Sequence, residues 1–453
     1  MLILPGEKKP ISVYHGNRPI KSIYVGRKLV WPEADRFGIR AASLCKTHSA
    51  FVLNNGTFWT MGSNEHGQLC RVGPSGSWNN PNLAQVADIT DAKDVVVSNT
   101  QAGEGSTVLL CEHSRLFSAG FSNSSILSVS ATARRAYSSL GRESRSGSPE
   151  FSNFAEILGI LAVNRIWHGR GRLIVRKSDG SVHGFGLDWE TNRGLLRWMK
   201  VNDSYDEPLV CSDLSLQADS FVALRDDGTV AIHGPIAPWH RPTELPASGT
   251  LVLQPYANEK FLSDIRKIST GLTHLAMVTR DGYLHVAGSD RYGQLCSPQF
   301  QYSNPEKGRR TEGEPIRDVV CGDHHTIILY SHGRIKTGGR NDHGQLGRDI
   351  PVGNGHDWLY YTGSDHTTEL GWYGNGDDVP DIDDAIAVYA GGDGTLIIRK
   401  SGITVFGNNE FGQLGVITEK HIENAADRLT WTENGRIPFE TNRAEWTAFP
   451  DQP

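Results

Sequence analysis

One nine-residue string recurs four times along the chain and limits what it can fold into: GSNEHGQLC at 62–70, GSDRYGQLC at 288–296, GRNDHGQLG at 339–347 and GNNEFGQLG at 407–415. Upstream of each copy lies the same unit, a strand-like run, a turn ending in Gly, a few residues of alternating character and then the shared Gly. The runs are 50–62, 275–288, 326–339 and 396–407. Each reads as a β-hairpin with a two-residue turn such as Asn55-Gly56 or Asp281-Gly282, where Gly tolerates positive φ. Using the turn-to-glycine distance as a ruler finds three weaker copies. Two turn at Asp179-Gly180 and Asp227-Gly228, and the third carries Ser114 where the turn glycine belongs. Seven hairpins result, ending at Gly62, Gly120, Gly186, Gly234, Gly288, Gly339 and Gly407.

A unit of about 50 residues holding a hairpin and two further strands cannot bury its faces alone, whereas seven such sheets packed around an axis can. The expected fold is all-β: a seven-bladed β-propeller over 34–453, with long insertions at 121–160 and 348–383, preceded by a small N-terminal β-meander over 1–33. Its first and last strands, from about 36–54 and about 428–446, are expected to meet in the same or adjacent blades.

The unit, Gly-x-x-His, a hairpin turning at Asp-Gly, then Gly-x-Asn-x-x-Gly-Gln-Leu-Gly, resembles the regulator of chromosome condensation repeat. The likeness covers roughly residues 36 to 446. Copies five to seven match well and copy one nearly so, whereas copies two to four lack the Gly-Gln-Leu-Gly tail. The Trp that the family places before the shared Gly is replaced throughout, by Met61, Ala119, Phe185, His233, Ala287, Gly338 and Phe406. The resemblance implies the propeller fold but spans nucleotide exchange, chromatin binding, ubiquitin-ligase accessory roles and enzyme inhibition, so it does not imply one activity.

Composition narrows the functions. Lys+Arg number 45 against Asp+Glu 51, a net charge of −6, which argues against a nucleic-acid binder living on phosphate neutralisation. No apolar run reaches the length of a membrane span, so no membrane insertion is expected. Only Met1-Leu2-Ile3-Leu4 precedes Pro5, too short for a secretory signal. Six cysteines without CxxC spacing read as reduced packing residues.

His48, His274 and His325 each lie eight residues before their turn glycine, one repeat position on separate blades, which points to structural duty. Cys70 and Cys296 replace the last Gly of the tail and read as packing. Asp377, Asp378, Asp381, Asp383 and Asp384 match a calcium loop in composition but not in ligand spacing. With no nucleophile elbow, phosphate loop or paired catalytic carboxylates, the chain is expected to be no enzyme and to need no cofactor or metal.

The segment before the propeller holds short strands at 11–14, 20–25 and 28–32, separated by turns at Gly16-Asn17 and Gly26-Arg27. About thirty residues cannot stand alone. The segment is expected to dock by strand pairing, with Ile23, Tyr24, Val30 and Trp31 as the partner-docking residues. Its Lys-x-Ile-Tyr-x-Gly-x-x-x-Val-Trp pattern, Lys21 to Trp31, resembles the start of minor tail proteins of siphophages. That resemblance implies a bacteriophage minor tail protein, a structural and adhesion component of the tail tip, assembled in the host cytoplasm and located in the virion. Its partners would be other tail-tip proteins and a host cell-surface glycan or polymer. Sugar stacking would then fall to Trp358, Tyr360, Tyr361, Trp372 and Tyr373 in the 348–383 insertion. The alternative reading is a cytosolic regulatory propeller binding a partner protein, with exchange-factor-like or inhibitor-like roles included.

Overall fold

The computed structural model describes residues 14–15, 18–19, 23–25, 28–31, 38–71, 79–87, 89–99, 105–120, 136–137, 143–144, 155–157, 159–169, 172–187, 194–201, 209–216, 221–233, 251–252, 264–289, 292–296, 314–348, 373–415 and 443–446. Among them, seven antiparallel sheets follow one another without exchanging strands, each from one continuous stretch: 39–85, 92–157, 163–200, 213–252, 265–288, 316–378 and 385–446. We call these blades 1 to 7. Six have four described strands and blade 5 has three.

The expected hairpins are the two middle strands of each blade. His48 faces Gly62, Ser106 faces Gly120, His274 faces Gly288, His325 faces Gly339 and Gly394 faces Gly407. The turns differ from expectation. In blade 1, Leu53 N–H donates to the Thr57 carbonyl and Gly56 N–H to the Leu53 carbonyl. The same pair of bonds recurs around Gly180, Gly228, Gly282 and Gly333. Each is therefore a three-residue loop, a type I turn closed by a left-handed residue, rather than the two-residue turn. The closing glycine has φ near +82° at Gly56 and +87° at Gly282, and Ser114 adopts φ 62° in the copy that lacks it.

The core is divided among the seams. Seven apolar clusters each join two neighbouring blades, and one of them joins blade 1 to blade 7 through Leu44, Phe51, Leu53 and Met61 on one side and Leu396, Ile398, Val405 and Leu414 on the other. Innermost strands of neighbouring blades also contact each other around a complete cycle. Strand Arg443–Trp446 pairs only with Ile403–Gly407 at the outer edge of blade 7. First and last blades therefore meet as neighbours, and the ring is closed by side-chain packing instead of a shared strand.

Ahead of the propeller, Tyr14–His15 pairs with Arg18–Pro19 and Ile23–Val25 with Lys28–Trp31, on either side of the two expected turn positions. Among the described residues these form two two-stranded sheets. Among the described residues no helix is long and apolar enough to cross a membrane.

Candidate functional site

The repeat residues most suggestive of chemistry hold the blades together. His48 Nε2 lies 2.8 Å from Thr107 Oγ1 of blade 2, His274 Nε2 2.9 Å from Thr326 Oγ1 of blade 6, and His325 Nε2 3.0 Å from Thr395 Oγ1 of blade 7. Each threonine hydroxyl donates to the carbonyl of a tail glutamine in the preceding blade: Gln68 at 2.6 Å, Gln294 at 2.7 Å and Gln345 at 2.9 Å. Since the hydroxyl proton is spent on the carbonyl, the imidazole Nε2–H must be the other donor, which fixes the tautomer. Burial pushes His48 down to about 3 and His325 to about 4, so both are neutral latches.

The tail is the other half of the latch. Asn64, Asn341 and Asn409 use Oδ1 to accept the backbone N–H of Leu69, Leu346 and Leu414, and each leucine is buried. The last tail residue sits at positive φ, Cys70 58°, Cys296 53°, Gly347 63° and Gly415 69°, which accounts for the glycine. Seams next to degenerate copies use other bonds, Ser106 Oγ to His168 Nε2 at 2.7 Å and Ser215 Oγ to Thr270 Oγ1 at 2.7 Å.

Along the innermost strands one frame carries Asp94, Arg165, Asp213, Lys267 and Asp318 on blades 2 to 6, an alternation of sign. Arg165 pairs with Asp213 at 3.5 Å and Lys267 with Asp318 at 3.4 Å. Asp94 is pushed up to about 6 by burial, which outweighs the Val95 N–H it accepts and the nearby Arg165. A carboxyl raised from 3.8 in this way favours the folded state fully below about 4 and loses that contribution as pH climbs through about 6. Asp94→Asn is therefore expected to stabilise the protein by about 2 kcal/mol at pH 7 and to do nearly nothing at pH 4. Urea denaturation at both pH values checks this; an equal gain at both would show that charge is not the cause.

The seven innermost strands converge at their C-terminal ends on a central cavity of about 380 Å³. Residues from every blade line it, among them Lys46, Asn99, His168, Ser215, Thr270, Asp323 and Gly392. A collar of backbone bonds ties its mouth: Leu272 N–H donates to the Asp323 carbonyl and Asp323 N–H to the Gly392 carbonyl, both at 2.8 Å. Lys46 of blade 1 crosses over the Gly391-Gly392 loop of blade 7 to reach Asp323 of blade 6, Nζ to Oδ2 3.1 Å. A Cβ at Gly392 would lie 2.6 Å from Lys46 Cγ, so the glycine opens the path.

Around this bridge sit further polar groups of blades 5 to 7. Arg340 Nη2 lies 2.5 Å from Asp342 Oδ2, the Tyr292 and His324 rings meet edge to face at 5.1 Å, and the Arg340 guanidinium lies 5.9 Å from the Tyr292 ring. Asp393 is raised from its ordinary value by burial and then by the Asp323 carboxylate. Burial works against the Lys46 ammonium, but Asp323 and Asp393 outweigh it and hold its pKa above the ordinary lysine value. Cys45 and Cys321, which also line the cavity, are pushed up by burial to about 11 and about 12, so neither is a thiolate.

Ile23, Tyr24, Val30 and Trp31 lie on the paired strands Ile23–Val25 and Lys28–Trp31. Trp358, Tyr360, Tyr361 and Trp372 lie outside the described residues, and Tyr373 opens the outer strand of blade 6 opposite Arg340. The acidic run is engaged by arginines: Asp377 with Arg348, Asp378 with Arg334 and Asp384 with Arg399. Among the described residues no three metal-ligating side chains converge. Sequence reasoning missed Lys46, Asp323 and Asp393. A signal exists in the Gly-x-x-His frame, where Lys46, Leu272, Asp323 and Gly392 share one position and two of the four are charged.

Seven contiguous blades, latched seam to seam around a channel with a charged mouth, define a closed β-propeller. Residues 316–345 match the regulator of chromosome condensation (RCC1) repeat, and the propeller is RCC1-like. The chain is 31% identical over 158 residues to the serine/threonine-protein kinase Nek9 of Mus musculus, covering 34% of this chain and 14% of the kinase. It is 38% identical over 92 residues to the secretion-regulating guanine nucleotide exchange factor of Bos taurus, covering 20% of this chain and 19% of that protein. The chain thus spans well under half the length of these relatives. Among solved structures it resembles Prp20p of Saccharomyces cerevisiae, described with its binding properties to Gsp1p and histones, with TM-score 0.60 and 16% identity, covering 80% of this chain and 83% of that one. At that identity the likeness is one of fold.

Proposed function

We propose that the chain is a regulatory propeller that binds a partner protein at the mouth of its central channel. The observation carrying this reading is the Lys46–Asp323 bridge over blade 7, which gathers charged side chains of three blades on one face. The repeat histidines are consumed in latches and the cavity thiols are protonated, which leaves this face suited to recognition rather than covalent chemistry. Resemblance to an exchange factor and to the fold of Prp20p supports a protein as the ligand.

The N-terminal segment favours a second reading, in which the partner is a tail-tip protein of a virion and docking runs through residues 1–33. The Lys21 to Trp31 pattern and the pairing of Ile23–Val25 with Lys28–Trp31 support it. A host glycan at the aromatic insertion belongs to the same reading.

One capture experiment separates the two. The full chain, a charge-reversed Asp323→Lys/Asp342→Lys chain and a chain lacking residues 1–33 are each used to recover and cross-link partners. Loss of a stoichiometric partner only in the charge-reversed chain is the expected result. Loss only in the shortened chain would move docking to the N-terminal segment, and finding that partner in purified virions would establish the tail reading.

A further inference from the structure

The charges at the channel mouth do not balance in pairs. Lys46 serves Asp323 at 3.1 Å and Arg340 serves Asp342 at 2.5 Å. Asp393, on the blade 7 loop beneath Lys46, forms no ion pair among the described residues. It is only 7% exposed, and its Oδ1 is buried with no hydrogen-bond donor among them. A carboxylate offers about four acceptor sites, and leaving a buried one unmade is costly. The groups facing it electrostatically are Asp323, Asp342, His343 and Lys46. The surroundings are thus one positive charge short, at a point where the Lys46 side chain is 49% exposed.

We propose that Asp393 receives a basic side chain, an arginine or lysine, presented by the partner protein at the channel mouth; this rests on the reading above and names the chemistry of its partner. A guanidinium or ammonium on a flexible stem meets the requirements. It brings several N–H donors to a carboxylate as charge-assisted hydrogen bonds. A calcium ion does not, because it takes six or more oxygens at about 2.3–2.6 Å, and among the described residues no three metal-ligating side chains converge. Lys46 then acts as the chain's own stand-in for the partner's cation, screening Asp323 and Asp393 until the partner arrives.

The test titrates the full chain with a short arginine–glycine peptide and with the same peptide carrying citrulline, which keeps the shape and removes the charge. Binding of the arginine peptide and not the citrulline peptide is expected. Asp393→Asn is expected to weaken it about tenfold, while Lys46→Ala, by removing the competing ammonium, is expected to strengthen it. A purely structural role for both residues would not give opposite signs. Citrulline binding as tight as arginine, wild-type affinity in Asp393→Asn, or displacement of the peptide by micromolar calcium would each overturn the proposal. If the charge-reversed chain loses its captured partner while Asp393→Asn leaves peptide affinity unchanged, the docking face stands and this inference falls.

Discussion

Gly391→Ala is expected to cost about 3 kcal/mol or more and to open the ring at the seam between blades 7 and 1. A Cβ at this position would fall onto the Leu44 carbonyl, backbone against backbone, with Cys45 N only 3.2 Å away. Neither side can turn aside as a rotamer would. Gly391 is not among the residues at positive φ, so alanine is conformationally allowed and the loss reports the clash alone. Gly394, across the same turn, is the control: a Cβ there meets nothing nearer than 3.4 Å, and Gly394→Ala is expected to shift stability by less than about 1 kcal/mol. Chemical denaturation of both variants measures the difference. Equal stability would show that the two end blades are not in the contact described.

The second large effect is at the latches. Thr326→Val keeps the shape of the side chain while stripping the His274 Nε2–H of its acceptor and the Gln294 carbonyl of its donor. All three groups lie at 0–1% exposure or in the backbone beside a buried side chain, so water cannot replace the bonds. At about 1–3 kcal/mol for each stranded group, a total near 3 kcal/mol is expected. Thr326→Ser, which keeps the hydroxyl and loses one methyl, is expected to cost about 1 kcal/mol. A valine variant no worse than the serine variant would demote the latch to ordinary packing.

Much of the fold was legible because its signals are local. The turn and shared glycines lie within one hairpin, so counting them yields seven blades, and Ser114 marks its copy through spacing alone. The eight-residue offset of His48, His274 and His325 also foretold structural duty. Turn type was not legible, since Asn55-Gly56 suits a two-residue turn and the three-residue loop equally; the backbone bonds decide between them. Latch partners were hidden because Thr107, Thr326 and Thr395 lie on the next blade, more than fifty residues from their histidines. The mouth was hidden for a further reason: Lys46 and Asp323 come together only once the ring has closed.

Because the described strands of every blade come from one uninterrupted stretch, the order of synthesis suits the order of assembly. A propeller that completes its last blade with its first strand must keep that strand waiting until translation ends. Here blade 1 holds its own four strands, and each later blade finds its neighbour already present as it emerges. The final event is then the meeting of two finished sheets, Leu44 and Phe51 against Leu396 and Val405. That leaves a single late docking step to separate an open crescent from the working ring.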